Sequence, residues 1–537
     1  MDKKAFGICL IVVVMSVMLG ISCTSDAGLE SLYAPKEAYP STAMKERDIS
    51  GLQYQPDDRP GPVMNTEDYK KIDENPFLGV KDNPLSTFSI DVDTASYSNA
   101  RRFLNQGTLP YKDAVRIEEL VNYFPYDYEE PKTDAPFNFI TELSSCPWNS
   151  THKLLMIGMK AKNISLEKLP ASNIVFLLDV SGSMNSPDKL PLLQRAFSLL
   201  TQELRPQDTV SIVVYAGAAG MVLPSTPGSK KEKILAALDK LEAGGSTAGG
   251  AGIQLAYNTA KANFIKSGNN RVILATDGDF NVGASSEGEL VRLIEQKREE
   301  GIFLTVLGFG TGNLKDSKME MLADKGNGNY AYIDSLLEAK KVLVTELGGT
   351  LVTIAKDVKL QLEFNPLKIK EYRLIGYENR MLRAEDFDND KKDAGELGAG
   401  HTVTAFYELV MADGAAPDGI DRRYTATEIK PEAGKGNELL FIKFRYKKPD
   451  SDTSILITQP VMHEEFSPEK TSESFRFASA VVEFGLLLRE SEHKGNASWE
   501  RMLKRAEASK GKDEQGYRKE FVYLAEKAKK LAELNKQ

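Results

Sequence analysis

Hydrophobic and polar positions divide this 537-residue chain into stretches with different periods. In the middle stretch, continuous apolar runs occur at Asn173–Val180 (NIVFLLDV), Thr209–Tyr215 (TVSIVVY), Arg271–Thr276 (RVILAT) and Ile302–Phe309 (IFLTVLGF). Such runs suit parallel strands covered on both faces. Between and after them, Leu190–Leu204, Lys230–Leu241, Gly250–Phe264 and Glu289–Glu300 place apolar residues at helical spacing. The alternation predicts an α/β domain over residues 173–351, built on a doubly wound, mostly parallel, Rossmann-like sheet.

The flanks have other periods. Residues 77–172 predict an α+β region. It has a strand-like run at Leu85–Asp93, helices at Tyr97–Asn105 and Ala114–Phe124, and strands at Phe137–Leu143 and Lys153–Met159. Residues 352–465 predict a β-rich domain from Val358–Phe364, Tyr372–Tyr377, Thr402–Leu409 and Glu438–Tyr446. If strands from both flanks share one layer, the α/β domain is an insertion in a β-rich host. Residues 466–537 are helical, and Phe521, Leu524, Ala525, Ala528, Leu531 and Ala532 form one apolar face.

The N-terminus changes the picture. Lys3 and Lys4 precede an apolar run from Ile8 to Ile21, too short to span a bilayer, which makes residues 1–22 a secretory signal. Leu19-Gly-Ile-Ser-Cys23 resembles a bacterial lipobox with Cys23 as the lipid attachment point, although Gly20 stands where that motif prefers leucine. Residues 23–76 hold six prolines and no apolar periodicity, so they are expected to be a flexible tether with a reach of about 40 Å. The expected location is the bacterial cell envelope, lipid-anchored without a transmembrane helix. Thr24 after the cysteine favours the outer membrane, on its periplasmic face or surface, over the inner one.

Composition narrows the function classes. With 68 Lys+Arg against 77 Asp+Glu, the net charge of −9 disfavours a general nucleic-acid binder. Four His and three Cys leave little room for a zinc framework or a disulfide scaffold.

Ligands of open α/β sheets sit beyond the carboxyl ends of the strands. Three oxygen-bearing loops fall there: Asp179-Val-Ser181-Gly-Ser183, Gly244-Gly-Ser-Thr247-Ala-Gly-Gly250 and Thr276-Asp277-Gly278. Two carboxylates and three hydroxyls with no His or Cys form an all-oxygen set. It suits Mg²⁺, and also Mn²⁺ or Ca²⁺, but not Zn²⁺.

Asp179, Ser181, Ser183, Thr247 and Asp277, in this order and after these elements, resemble the metal-ion-dependent adhesion site of von Willebrand factor A domains. In that family the first four bind the metal directly or nearly so, and the last Asp acts through water. Glu74–Phe77, Ser86–Leu104, Glu371–Arg380 and Ala399–Leu409 resemble the flanks of bacterial YfbK-type proteins. The likeness therefore extends from about Tyr69 to the C-terminus. It implies a secreted, lipid-anchored envelope protein with a von Willebrand A core and dedicated flanking domains, and it supplies no ligand. The expectation of an unidentified protein partner presenting Asp or Glu comes from the oxygen-ligand set, whose bound cation can take one more carboxylate. No enzymatic activity is expected, because the site loops offer no evident general base; Asp279 and Glu287 lie near but cannot be oriented from sequence. A metal-stabilised envelope scaffold and a metal-assisted hydrolase remain the alternatives.

Other motifs carry less. Asp91-Val-Asp93-Thr94-Ala95 nearly spells a phosphotransferase nucleophile motif, but Asp93 or Thr94 capping the next helix is the simpler expectation. Asp386–Asp393 lacks the Gly and Glu of a calcium loop and reads as a solvated acidic turn. Gly308-Phe-Gly-Thr-Gly312 lacks the Lys-Ser/Thr of a phosphate loop and reads as a strand-ending turn.

Overall fold

The computed structural model describes residues 65–535 apart from 133–134, 165–168, 246–248, 279, 281–285, 347–352, 391, 393, 414–428 and 450. The signal, Cys23 and most of the expected tether lie outside the described residues.

The central domain is a six-stranded sheet in the order Tyr330–Ile333, Ile302–Phe309, Asn269–Thr276, Ser172–Asp179, Thr209–Tyr215, Ala219–Pro227. Neighbours are parallel except for the last strand, which returns antiparallel at the edge. Every residue of Ser172–Asp179 is buried, which explains its unbroken apolar run. One face carries Phe176, Leu178, Leu193, Phe197 and Ile234, and the other Val175, Leu177, Ile253, Tyr257 and Leu304. Both faces are thus covered by helices, as a doubly wound sheet requires.

Two further sheets mix strands from before and after this domain, so the α/β unit is inserted in a β-rich host. One runs Leu78–Gly79, Ile369–Ile375, Thr402–Met411, Asn149–Ala161, Phe137–Cys146, Glu465–Phe466. The other runs Met381–Leu382, Leu85–Ser89, Thr353–Phe364, Glu438–Lys447, Ser454–Met462, with Gly395–Gly398 paired beside Thr353–Phe364. Phe88, Phe137, Leu155, Leu360, Tyr407 and Phe444 share one core between them. The outer face of the first sheet, with Leu154, Met156 and Phe406, packs against the helical C-terminal region through Phe475, Phe477, Phe484 and Phe521.

The helix Ala95–Asn105 joins host and insert, and all its residues but the last are buried. Arg101 donates to Asp334 (2.8 and 2.5 Å), Glu338 (2.6 Å), the Tyr123 hydroxyl (2.9 Å) and Glu520 (3.0 Å). Arg116 bonds Glu119 of the host and Asp316 of the inserted domain. Arg380 gathers Asp91, Asp93, Glu320 and Asp324 within 3.4 Å. Asp93 and Thr94 do not cap the helix as expected. The Thr94 side chain makes no cap bond, and Asp93 accepts from the Tyr330 N–H (2.7 Å) and from Arg380 (3.2 Å).

The last part of the expected tether is docked rather than free. Thr66 and Asp68 donate their N–H groups to the carbonyls of Gly312 (2.7 Å) and Leu314 (3.0 Å). Glu67 accepts from the Gly312 N–H (2.9 Å) and from both terminal nitrogens of Arg102 (2.7 and 2.9 Å). The acidic turn near Asp386 is paired as well: Arg445 donates to Asp388 (3.0 Å) and Asp390 (2.9 Å).

Candidate metal centre

Asp179 is the last residue of the innermost strand, and its side chain is fully buried. One carboxylate oxygen accepts from the Ser181 N–H (2.9 Å), which turns the chain back toward the strand end. The turn brings the Ser181 and Ser183 hydroxyl oxygens to 3.0 Å from each other. The second oxygen of Asp179 accepts from the Thr276 hydroxyl (3.2 Å) on the neighbouring strand. Asp277 follows Thr276 and is equally buried.

The glycine-rich loop is tied to the same edge. The Gly182 N–H donates to the Gly245 carbonyl (3.0 Å), and the Gly244 N–H to the Val180 carbonyl (2.8 Å). Thr247 lies outside the described residues; Gly244 and Gly245 before it are bonded to Val180 and Gly182, and the helix Gly249–Ala262 follows. Gly278 has φ +110°, and a Cβ there would lie 2.4 Å from the Asn313 carbonyl oxygen, so the turn after Asp277 requires glycine.

The two carboxylates differ electrostatically. Burial pushes the Asp179 carboxyl up to about 6; hydrogen bonds from Ser181 oppose the rise and the Asp277 charge adds to it. Burial also works against ionisation of Asp277, yet hydrogen bonds from Lys189 and Asn313 hold its carboxyl below the usual range. Lys189 donates to Asp277 (2.8 Å) and to the Asn313 side-chain oxygen (3.3 Å).

Lys189, Asn313, Thr276 and Tyr215 were not among the residues that spacing singled out. The Gly-Phe-Gly-Thr-Gly turn was the available signal for Asn313, since it ends a parallel strand at the same sheet edge. Glu287, by contrast, is exposed at the start of the helix Glu287–Glu299, and Asp279 lies outside the described residues.

The donor set fits a hard divalent cation. Asp179, Ser181 and Ser183 offer only oxygen, and the repulsion between two buried carboxylates is relieved by a positive charge. The buried Tyr215 hydroxyl lies beside Asp179, whose charge adds to burial in suppressing its ionisation.

Residues 173–345 match the family described as "von Willebrand factor type A domain", and residues 63–156 one described as "von Willebrand factor". Fold and residues together define a von Willebrand factor A-domain protein. Residues 349–531 match the family "Uncharacterized protein YfbK, C-terminal". The chain is 47% identical over 478 residues to "Uncharacterized protein YfbK" of Escherichia coli (strain K12), covering 88% of this chain and 82% of that protein. It belongs to the YfbK family. A shorter likeness, 25% over 215 residues, joins 38% of the chain to 61% of a UPF0353 protein of Mycolicibacterium paratuberculosis.

Among solved structures, a "von Willebrand factor type A" protein from Catenulispora acidiphila is 15% identical with TM-score 0.40, over 73% of this chain and 89% of that one. Proximal thread matrix protein 1 from the mussel byssus, with a "zinc occupied MIDAS motif", is 24% identical with TM-score 0.28, over 33% and 44%. Among the described residues no helix is long and apolar enough to cross a membrane.

Proposed function

We propose that the protein is a binding module of the bacterial envelope whose A domain captures a protein partner through a divalent cation. Asp179, Ser181, Ser183 and Thr247 would hold Mg²⁺, with Mn²⁺ or Ca²⁺ as substitutes, and Asp277 would orient a bound water. The bound ion supplies a Lewis-acidic position for an Asp or Glu side chain of the partner. The observation that carries this is the convergence of Asp179, the paired Ser181 and Ser183 hydroxyls and Asp277 on one sheet edge. The chain's own groups do the rest: Thr276 fixes the Asp179 carboxylate, and the Gly278 turn fixes the backbone of Asp277.

Lipidation at Cys23 and delivery to the outer membrane complete the proposal, supported by the leader sequence alone. Calorimetry with Mg²⁺ and Mn²⁺ tests the site: wild type binds, and Asp179→Ala does not. Equal affinity in the two proteins would place the ion elsewhere. Loss of acyl labelling in Cys23→Ala tests the anchor. Capture of one partner with magnesium and its release by chelator tests the function.

A further inference from the structure

Lys189 stands where a lysine is costly. It precedes the helix Leu190–Glu203, whose amino end repels positive charge, and only 7% of the residue is exposed. The fold nevertheless makes room for it. Gly310 has φ +72°, and a Cβ there would meet Lys189 Cγ and Cε at 2.3 Å, so the glycine opens the channel in which the lysine stem lies. The Gly310 carbonyl is fixed by the Tyr332 hydroxyl (2.7 Å). At the end of the channel the ammonium meets Asp277 (2.8 Å) and Asn313 (3.3 Å).

The charge balance gives this position a consequence. At pH 8, Asp179 and Asp277 contribute −2, which a divalent ion alone would neutralise. Lys189 adds +1, so the loaded site retains one positive charge until an anion arrives.

Resting on the metal-site reading above, we infer that Lys189 is a built-in counter-charge that weakens the site for the bare cation and makes it selective for a cation together with a carboxylate. The lysine competes with the metal's bound water for Asp277, and the excess charge it leaves is satisfied by an acidic side chain from the partner. An ammonium hydrogen-bonded to a metal-site carboxylate is close enough to a dication to change its affinity by about tenfold or more.

The test is Mn²⁺ calorimetry at pH 8, with and without acetate as the carboxylate probe, on wild type, Lys189→Met and Lys189→Arg. Methionine keeps an unbranched stem in the Gly310 channel, and thermal unfolding checks that each variant is folded. Lys189→Met should bind Mn²⁺ about tenfold tighter, acetate should strengthen Mn²⁺ binding in wild type more than in Lys189→Met, and Lys189→Arg should stay within about threefold of wild type. Unchanged or weaker Mn²⁺ binding by a folded Lys189→Met would overturn the inference while leaving the metal site intact. Equal tightening in Lys189→Arg would also overturn it, because charge would not be the cause. Absence of Mn²⁺ binding in all three would remove the metal-site reading, and the inference with it.

Discussion

Two regions of this molecule bury carboxylates, and they neutralise them differently. Where the helix Ala95–Asn105 meets the inserted domain, Arg101, Arg116 and Arg380 surround Asp93, Glu119, Glu320, Asp334 and Glu338 with guanidinium groups. At the carboxyl edge of the central sheet, Asp179 accepts from the Ser181 N–H and the Thr276 hydroxyl, and Asp277 accepts from the Lys189 ammonium. Arginine forks fix geometry and leave no room for an ion. At the sheet edge, main-chain, hydroxyl and ammonium donors, with no guanidinium fork among them, hold the two acids. The three carboxylates Asp93, Glu119 and Glu320 come within metal-binding distance of one another, yet their oxygens are already engaged by Arg116, Arg380 and main-chain N–H groups. Proximity of acids alone does not make a metal site.

The comparison breaks most visibly if arginine removal is harmless. Arg101→Ala leaves Asp334 and Glu338, 9% and 1% exposed, without their cation, and should cost about 3–5 kcal/mol in denaturant unfolding. Glu67→Gln, which weakens the buried pair with Arg102 but keeps one acceptor, should cost about 1–2 kcal/mol by the same measurement.

A pH experiment sharpens the contrast further. Burial, with Glu378 nearby, pushes the Glu118 carboxyl up to about 8. The unfolded chain ionises this group at its ordinary value, so between about pH 4.5 and 8 the folded state holds the extra proton. Stability should therefore fall as pH rises through that window, by at most about 1.4 kcal/mol per pH unit from this group. Glu118→Gln should lack that component, as unfolding midpoints across the range would show. The smallest effect belongs to the carboxyl edge of the central sheet. Asp179→Asn should change stability by less than about 1 kcal/mol, because it deletes a charge that burial disfavours. A loss there as large as that of Arg101→Ala would erase the distinction between the two regions.

Much of the central domain was legible because its strands are short apolar runs and its helices have one apolar face. The strand Ala219–Pro227 escaped notice because it carries Pro224 and Pro227 and exposes Met221 and Val222 as an edge. The strand Tyr330–Ile333 is only four residues long. The helix expected over Ala114–Phe124 is broken: Ser96 accepts from the Arg116 N–H (2.8 Å) and donates to the Ala114 carbonyl (2.6 Å), so only Ile117–Asn122 is α-helical. That interruption comes from a residue on another helix, which local periodicity cannot register.

The site divides in the same way. Asp179, Ser181, Ser183 and Asp277 announce themselves by residue type after recognisable strands. Lys189 looks in sequence like an ordinary solvated lysine at a helix start, and its buried contact with Asp277 emerges only once Gly310 and Asp277 are placed around it. Arg101 is similarly silent, since its acids lie 233, 237 and 419 residues further along the chain.

The docked segment at Thr66–Asp68 has a mechanical consequence. The chain enters the folded body along the loop that contains Gly312 and Asn313, and it is held there by the bonds to Gly312 and Leu314 and by the Glu67–Arg102 fork. A pull applied upstream of Asn65 is therefore resisted first by this short parallel pairing, in shear, before any strand of the central sheet is loaded. The same loop positions the Asn313 oxygen against Lys189, so the docked segment and the ammonium beside Asp277 rest on one stretch of chain.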